Sequence, residues 1–182
     1  PDLSNAIIDM TEYGVPQNRK RIIILGVSKE HYGDKAEAMV EKFYSSYLPE
    51  YKIEKKATVR DAIGDLPKLR PLDEPISYLG RKLSHSVSDP LINGHISRFH
   101  NKRDIELFKF LEEDIASGRM KYTSAKSLKT LYTKLTGKTS NVHKYYVLRW
   151  DEPSNLIPAH LFKDGLRHIH PDPEQARTIT VR

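Results

Sequence analysis

The apolar positions of this chain fall into two kinds of run, one continuous and one spaced at helical intervals. Residues 21–27 (Arg-Ile-Ile-Ile-Leu-Gly-Val) are β-branched and almost unbroken in their hydrophobicity. That is the pattern of a strand buried on both faces inside a sheet. Downstream, Ala36, Met39, Val40, Phe43 and Tyr47 recur at helical spacing, with Asp34 and Glu37 placed as a capping pair and Pro49 as the stop. One helix is therefore expected beside the strand. Thr58 opens a capped single helical turn that Gly64 ends, and residues 71–93, rich in Pro, Ser, Gly and Asp, read as ordered loops and short strands. Two amphipathic helices follow. Asn101 caps the first, with Ile105, Phe108, Leu111 and Ile115 inward and Gly118 just past its end. Ser124 caps the second, with Ala125, Leu128, Leu131, Tyr132 and Leu135 inward and Gly137 closing it. Tyr145 to Trp150 reads as a strand ended by Asp151-Glu152-Pro153, and Asp172-Pro173 as the start of a short helical turn. No internal repeat is evident.

With 182 residues and 38% hydrophobic content the chain supports a modest core, either one domain or a domain with part of another. Its longest apolar run falls far short of the roughly 20 residues a membrane helix needs, and no signal peptide is visible. The expected location is cytoplasmic. Zero cysteine removes disulfides and thiolate metal sites. The net charge of +6 favours a polyanionic partner. From Arg81 to Arg149 there are fourteen Lys/Arg against six Asp/Glu, so the middle of the chain carries more than the whole surplus. The bland reading of that surplus is a solvated lysine-rich surface.

Two short stretches carry the most specific signal. Tyr13-Gly14-Val15-Pro16-Gln17-Asn18-Arg19-Lys20-Arg21 runs into the apolar segment, and Arg177-Thr178-Ile179-Thr180-Val181-Arg182 closes the chain. In order, spacing and flanking residues they resemble the Gln-x-Arg-x-Arg and Arg-x-(Leu/Ile)-Thr-Val-Arg-Glu motifs of the C5-cytosine DNA methyltransferases of bacterial restriction-modification systems. The region between them is where that family reads DNA.

The resemblance implies a mixed α+β fold. The end of a Rossmann-like catalytic domain (residues 1–57) would lead into a small, loop-rich target-recognition domain (58–165) and a return segment (166–182). In that family a cysteine adds to C6 of a flipped cytosine, and the methyl group passes from S-adenosylmethionine to C5. Flipping is needed because duplex stacking hides the reacting atoms. Neither the cysteine nor a Gly-rich cofactor turn is present, so these residues are expected to be an excised C-terminal piece, inactive alone, with S-adenosylmethionine bound by the upstream part. By position Arg21 contacts the flipped pyrimidine, Arg19 supports the active site, and Gln17 assists. A guanidinium suits both tasks because it is permanently charged, offers fixed donors and cannot act as a competing base. Simple pairing with carboxylates at a strand entrance is the alternative. Arg177, Thr180 and Arg182 take the second motif's bracing role, with Thr180 placed to cap a following helix.

Two polar clusters are candidates for DNA contact: His95, Arg98, His100, Asn101, Lys102 and Arg103 ahead of a helix, and Asn141, His143, Lys144, Tyr145 and Arg149. A helix cap plus surface charge is the bland reading of the first. His160, His168 and His170 with Asp164 and Asp172 have metal-ligand chemistry. However, residues 162–171 resemble connecting structure that precedes the second motif in a bacterial branch of the family, so no metal is expected. Asn155-Leu156-Ile157-Pro158 departs from the commoner Thr-Ile there. The expected partners are double-stranded DNA and a cognate restriction endonuclease, with no membrane. A non-catalytic DNA-binding module and a tRNA cytosine-5 methyltransferase of the same family are the rival functions. The long basic middle favours DNA, since choosing among duplex sequences needs extra base-reading surface.

Overall fold

In the computed structural model, residues 6–161 and 165–180 are described. The chain divides into two compact units, Pro1–Gly64 with Asp151–Leu156, and Asp65–Trp150 with Ile157–Arg182. Helices and small antiparallel sheets are mixed in both, an α+β composition.

In the first unit β1 (Ile7–Asp9) pairs antiparallel with β2 (Lys20–Ile22), setting Ile8 opposite Arg21 and Asp9 opposite Lys20. The connection is a 3-10 turn, Met10–Tyr13, which Asp9 caps by accepting from the Thr11 amide at 3.0 Å and its hydroxyl at 2.8 Å. Gly14 closes it at φ 82°, a left-handed conformation that glycine takes without steric cost. The strand expected over residues 21–27 and buried on both faces is not found. β2 stops at Ile22, which is 59% exposed, and Ile24 is 80% exposed. With β1 as its only paired strand among the described residues, the apolar run lacks there the two covering layers its pattern calls for. Past Ile23 the Tyr44 hydroxyl serves the backbone instead, donating to the Ile23 carbonyl (2.6 Å) and accepting from the Leu25 amide (3.0 Å).

A one-turn helix α1 (Lys29–Tyr32) and Gly33 lead into α2 (Lys35–Lys42), which widens into a π turn over Phe43–Tyr47 before a 3-10 turn at Pro49–Tyr51. The expected Asp34 cap does not form, because Asp34 already has helical dihedrals and its carboxylate makes no cap bond. The capping signature at Thr58 does form. The Thr58 amide donates to Asp61 Oδ2 (2.8 Å) and the Asp61 amide to Thr58 Oγ1 (3.3 Å), opening α3 (Val59–Ile63). Residues 151–156 return to this unit: Glu152 accepts from the Val59 amide, and Ser154 pairs with the Pro16–Asn18 segment.

The second unit opens with a hairpin, β3 (Pro71–Tyr78) and β4 (Arg81–His85). A two-residue turn joins them, Leu79 and Gly80 both at positive φ as a right-twisted hairpin requires. Then come α4 (Lys102–Ala116) and α5 (Ala125–Thr136), capped by Asn101 and Ser124, with Gly137 left-handed at the end of the second. Their apolar faces meet in one core: Leu107, Phe108, Leu111, Leu128 and Leu131 with Tyr145, Val147, Ile169 and Ala176. Ile105 and Ile115, expected inside, are only partly buried against it. Residues 145–150 form an isolated bridge rather than a full strand. Val147 lies beside Ile169 and Ile169 in turn beside Thr178, so three short extended segments place Ile169, fully buried, at the middle. At Asp172-Pro173 a hydrogen-bonded turn, with the Gln175 amide donating to the Asp172 carbonyl, replaces the helical turn.

Candidate nucleic-acid interface

Arg21 lies within β2, and Arg19, two residues before it, sits just ahead of the strand with its carbonyl accepting from the Met10 amide at 2.9 Å. Arg21 is exposed and, among the described residues, its Nη1 donates only to the carbonyl of Lys20, at 2.6 Å. Neither arginine forms an ion pair among the described residues, while nearby lysines do: Lys52 with Glu12 and Lys56 with Asp9. Gln17 anchors the approach to the strand through its parallel bridge with Ser154, and its buried Oε1 has no hydrogen-bond partner among the described residues. The result is two permanent, uncompensated charges carried on a short, backbone-paired platform.

The first polar cluster is split by the fold, and two of its members need correction. His95 and His100 are buried beneath the surface, 1% and 6% exposed. The His95 Nε2–H donates to the Pro67 carbonyl at 2.8 Å, and His100 Nε2 accepts from the Thr178 amide at 3.3 Å. Burial, aided by the charges of His85, Arg98 and Arg177, pushes the His100 imidazole down to about 3. These rings are internal struts, not groove-reading groups. Asn101 spends its carbonyl oxygen on the Asp104 amide as the α4 cap, Lys102 pairs with Glu74 and Arg103 with Asp104. Half-buried Arg98 donates to the Leu161 carbonyl (3.4 Å) and lines a cleft of about 570 Å³ with Arg81, Lys82, Leu83 and Phe99. The Lys82 ammonium sits 4.7 Å from the Phe99 ring centroid.

In the second cluster Tyr145 belongs to the core and is also corrected, being 4% exposed. Asn141 is exposed and His143 and Lys144 are half-buried at the surface. Arg149 donates to the Val147 carbonyl (2.9 Å) with its guanidinium over Tyr146. Tyr145, Val147 and Leu148 all turn inward, a signal the mixed composition of the cluster concealed.

The closing motif is held by buried polar groups. Arg177, 3% exposed, donates from Nε to Gln175 Oε1 (3.0 Å) and from Nη1 to the Thr178 carbonyl (3.4 Å). Burial lowers it to about 10, so it remains cationic at neutral pH. Beside it Glu112 is 1% exposed, and neither carboxyl oxygen has a hydrogen-bond partner among the described residues. Burial first, and Asp172 second, push this carboxyl up to about 9 against the pull of Arg177. His85 donates from Nε2 to the Gln175 carbonyl at 2.8 Å and burial holds it near 4, while His170 is held near 3 by burial and by Arg177. None of Glu112, Gln175 and His85 is marked in the sequence, because helical and strand periodicity assign such residues to the solvent face. His160 is exposed while His168 is buried, Thr180 is half-buried at the cleft, and Asp164 and Arg182 lie outside the described residues.

Residues 2–182 match the family model for C-5 cytosine-specific DNA methylase. The chain belongs to that family. Among curated proteins, this methylase chain is 30% identical to the type II methyltransferase M.Bpa9945I of Bacillus paralicheniformis over 100% of its own length and 41% of that protein. It is 25% identical to the putative type II methyltransferase M.OihORF3336P of Oceanobacillus iheyensis (97% and 51%) and 26% identical to M.AgeI of Thalassovita gelatinovora (96% and 54%). It thus spans about half the length of the curated relatives it matches. No solved structure matches it.

Proposed function

We propose that this methylase chain is the C-terminal, target-recognising part of a type II DNA (cytosine-5-)-methyltransferase of a restriction-modification system, acting on duplex DNA in the cytoplasm. The observation that carries the reading is the pair Arg19 and Arg21, presented at the start of β2 with no carboxylate among the described residues to neutralise them. An ion pair that merely braced a strand would have a partner. Two unpartnered guanidiniums suit an anionic or carbonyl-rich ligand that arrives from outside, with Arg21 holding the flipped pyrimidine and Arg19 supporting the site. The uncovered apolar residues Ile22 and Ile24 agree with a strand completed by the rest of a Rossmann-like sheet.

Residues 1–57 would then close the catalytic domain, 58–165 would form the recognition domain, and 166–182 would return the chain along a motif braced by Arg177. The family description, C-5 cytosine-specific DNA methylase, favours DNA over tRNA as substrate, and the restriction-modification reading adds a cognate restriction endonuclease as functional partner. S-adenosylmethionine does not fit the described residues. β1 runs into a capped 3-10 turn and β3 into a tight hairpin, and neither offers the Gly-rich strand-to-helix turn that cradles a nucleotide-like cofactor. With no cysteine in the chain, the nucleophile must also come from elsewhere.

The test is expression of the full-length protein in a host lacking cytosine methylation, followed by bisulfite mapping of its DNA. 5-Methylcytosine confined to one short context is expected. Soluble protein with unmethylated DNA would refute the reading.

A further inference from the structure

We propose that the outward face of α5 and its flanks, from Lys121 to Lys144, grip the phosphate backbone of duplex DNA without reading its sequence. This rests on the methyltransferase reading and adds to it a surface that the motifs do not mark. Between Asp114 and Asp151 the chain runs for 36 residues without one Asp or Glu and with eight Lys or Arg. Six are lysines: 121, 126, 129, 134, 138 and 144.

Helix geometry collects three of them. Leu128 and Leu131 are buried, and at 100° per residue Lys126 falls opposite them, with Lys129 and Lys134 on its two flanks. The threonines among them are spoken for, since Thr130 Oγ1 donates to the Lys126 carbonyl (3.0 Å) and Thr133 Oγ1 to the Lys129 carbonyl (3.1 Å). The ammonium groups are left as the free polar groups of that face.

Several lysines elsewhere in this protein are neutralised: Lys52 with Glu12, Lys68 with Asp172 and Glu174, Lys102 with Glu74. Among the described residues none of the six has a carboxylate within the 4.0 Å of an ion pair. Lys126 also sits in the first turn of α5, where the helix dipole disfavours a cation and where no acidic residue offsets it. A cluster of like charges kept unpaired opposes folding by self-repulsion, and a polyanion relieves that repulsion. Lysine is a flexible point charge rather than a planar fork, which suits phosphates better than base edges.

The experiment measures duplex DNA affinity of the full-length protein against salt, for cognate and scrambled sites. In Lys126→Gln/Lys129→Gln/Lys134→Gln the slope of log K on log salt is expected to fall by roughly 2 to 3, at about 0.9 per phosphate contact. Cognate and scrambled sites should weaken in parallel, so that their affinity ratio is kept. The triple Lys→Arg variant should retain the wild-type slope. The control Lys35→Gln/Lys42→Gln/Lys55→Gln, with the same loss of charge in the first unit, should leave it unchanged. An unchanged slope in the α5 variant, or an equal fall in the control, would overturn the phosphate grip while leaving the methyltransferase reading intact. A wild-type protein with no salt-dependent duplex binding, or one that prefers tRNA at matched salt, would instead overturn the reading on which it rests.

Discussion

Glu112→Gln is expected to stabilise the second unit at neutral pH. The carboxyl is 1% exposed and has no hydrogen-bond partner among the described residues, and burial lifts it from its ordinary 4.5 to about 9. The folded protein must therefore carry it protonated at pH 7. Each pKa unit is about 1.4 kcal/mol, so holding the proton from 4.5 up to pH 7 costs about 3 kcal/mol. Glutamine has the same shape and carries no such cost, although its unpaired amide offsets part of the gain. The sign follows from the raised folded value: the contribution of Glu112 is fully present below pH 4.5 and is lost as pH rises toward 9. His85, His100 and His170 act oppositely, because their folded values lie below 6.5 and stability gained from them grows as pH rises to that point. Those terms cancel in the difference between variant and wild type. Urea unfolding followed by fluorescence of Trp150, the only tryptophan, whose ring lies edge-on to His170, provides the measurement at pH 5, 7 and 8.5. The advantage of the variant should grow with pH. A variant less stable than wild type by more than about 1 kcal/mol at pH 8.5 would refute the reasoning, since it would mean an ionised carboxylate stabilised by Arg177.

Arg21→Ala in the full-length protein should lower the methyl-transfer rate at saturating DNA by roughly tenfold or more, about 1.4 kcal/mol of transition-state stabilisation, with a smaller change in DNA affinity. Equal losses in a single-turnover and a binding assay would assign Arg21 to phosphate contact or folding. Phe108→Ala removes a fully buried ring from the core and should cost about 3 to 5 kcal/mol in urea melts, and a cost below about 1 kcal/mol would contradict the packing described. Ser124→Ala loses the side-chain acceptor of the Ser127 amide (3.1 Å) and should cost about 1 kcal/mol, which Ser124→Asp should largely restore.

Local rules were legible where the partner of a residue lies within one or two turns. Asn101, Ser124, Gly137 and the Thr58–Asp61 pair act over three or four residues, and the structure forms each of them. Asp34 failed by the same rule, because the preceding turn had already made its backbone helical. The apolar run at residues 21–27 shows the limit of periodicity. It reports what a strand requires, whereas exposure depends on which neighbours are present. Burial of His95 and His100 was illegible because their partners, Pro67 and Thr178, are 28 and 78 residues away. The arginine pair was readable as a motif, but its lack of counter-charge became visible only in three dimensions.

The shared ownership of the second core bears on how recognition could be exchanged between relatives. Phe108, Leu111 and Leu128 come from the long middle of the chain, yet Ile169 and Ala176, and the buried Arg177 with its Gln175 support, come from the end. Residues 151–156 between them belong to the first unit. A chimera that transplants only residues 65–150 would cut through one packed interior and leave mismatched halves. A graft meant to carry a new target specificity should take two non-contiguous blocks, the middle together with 165–180, and keep the host's own 151–156.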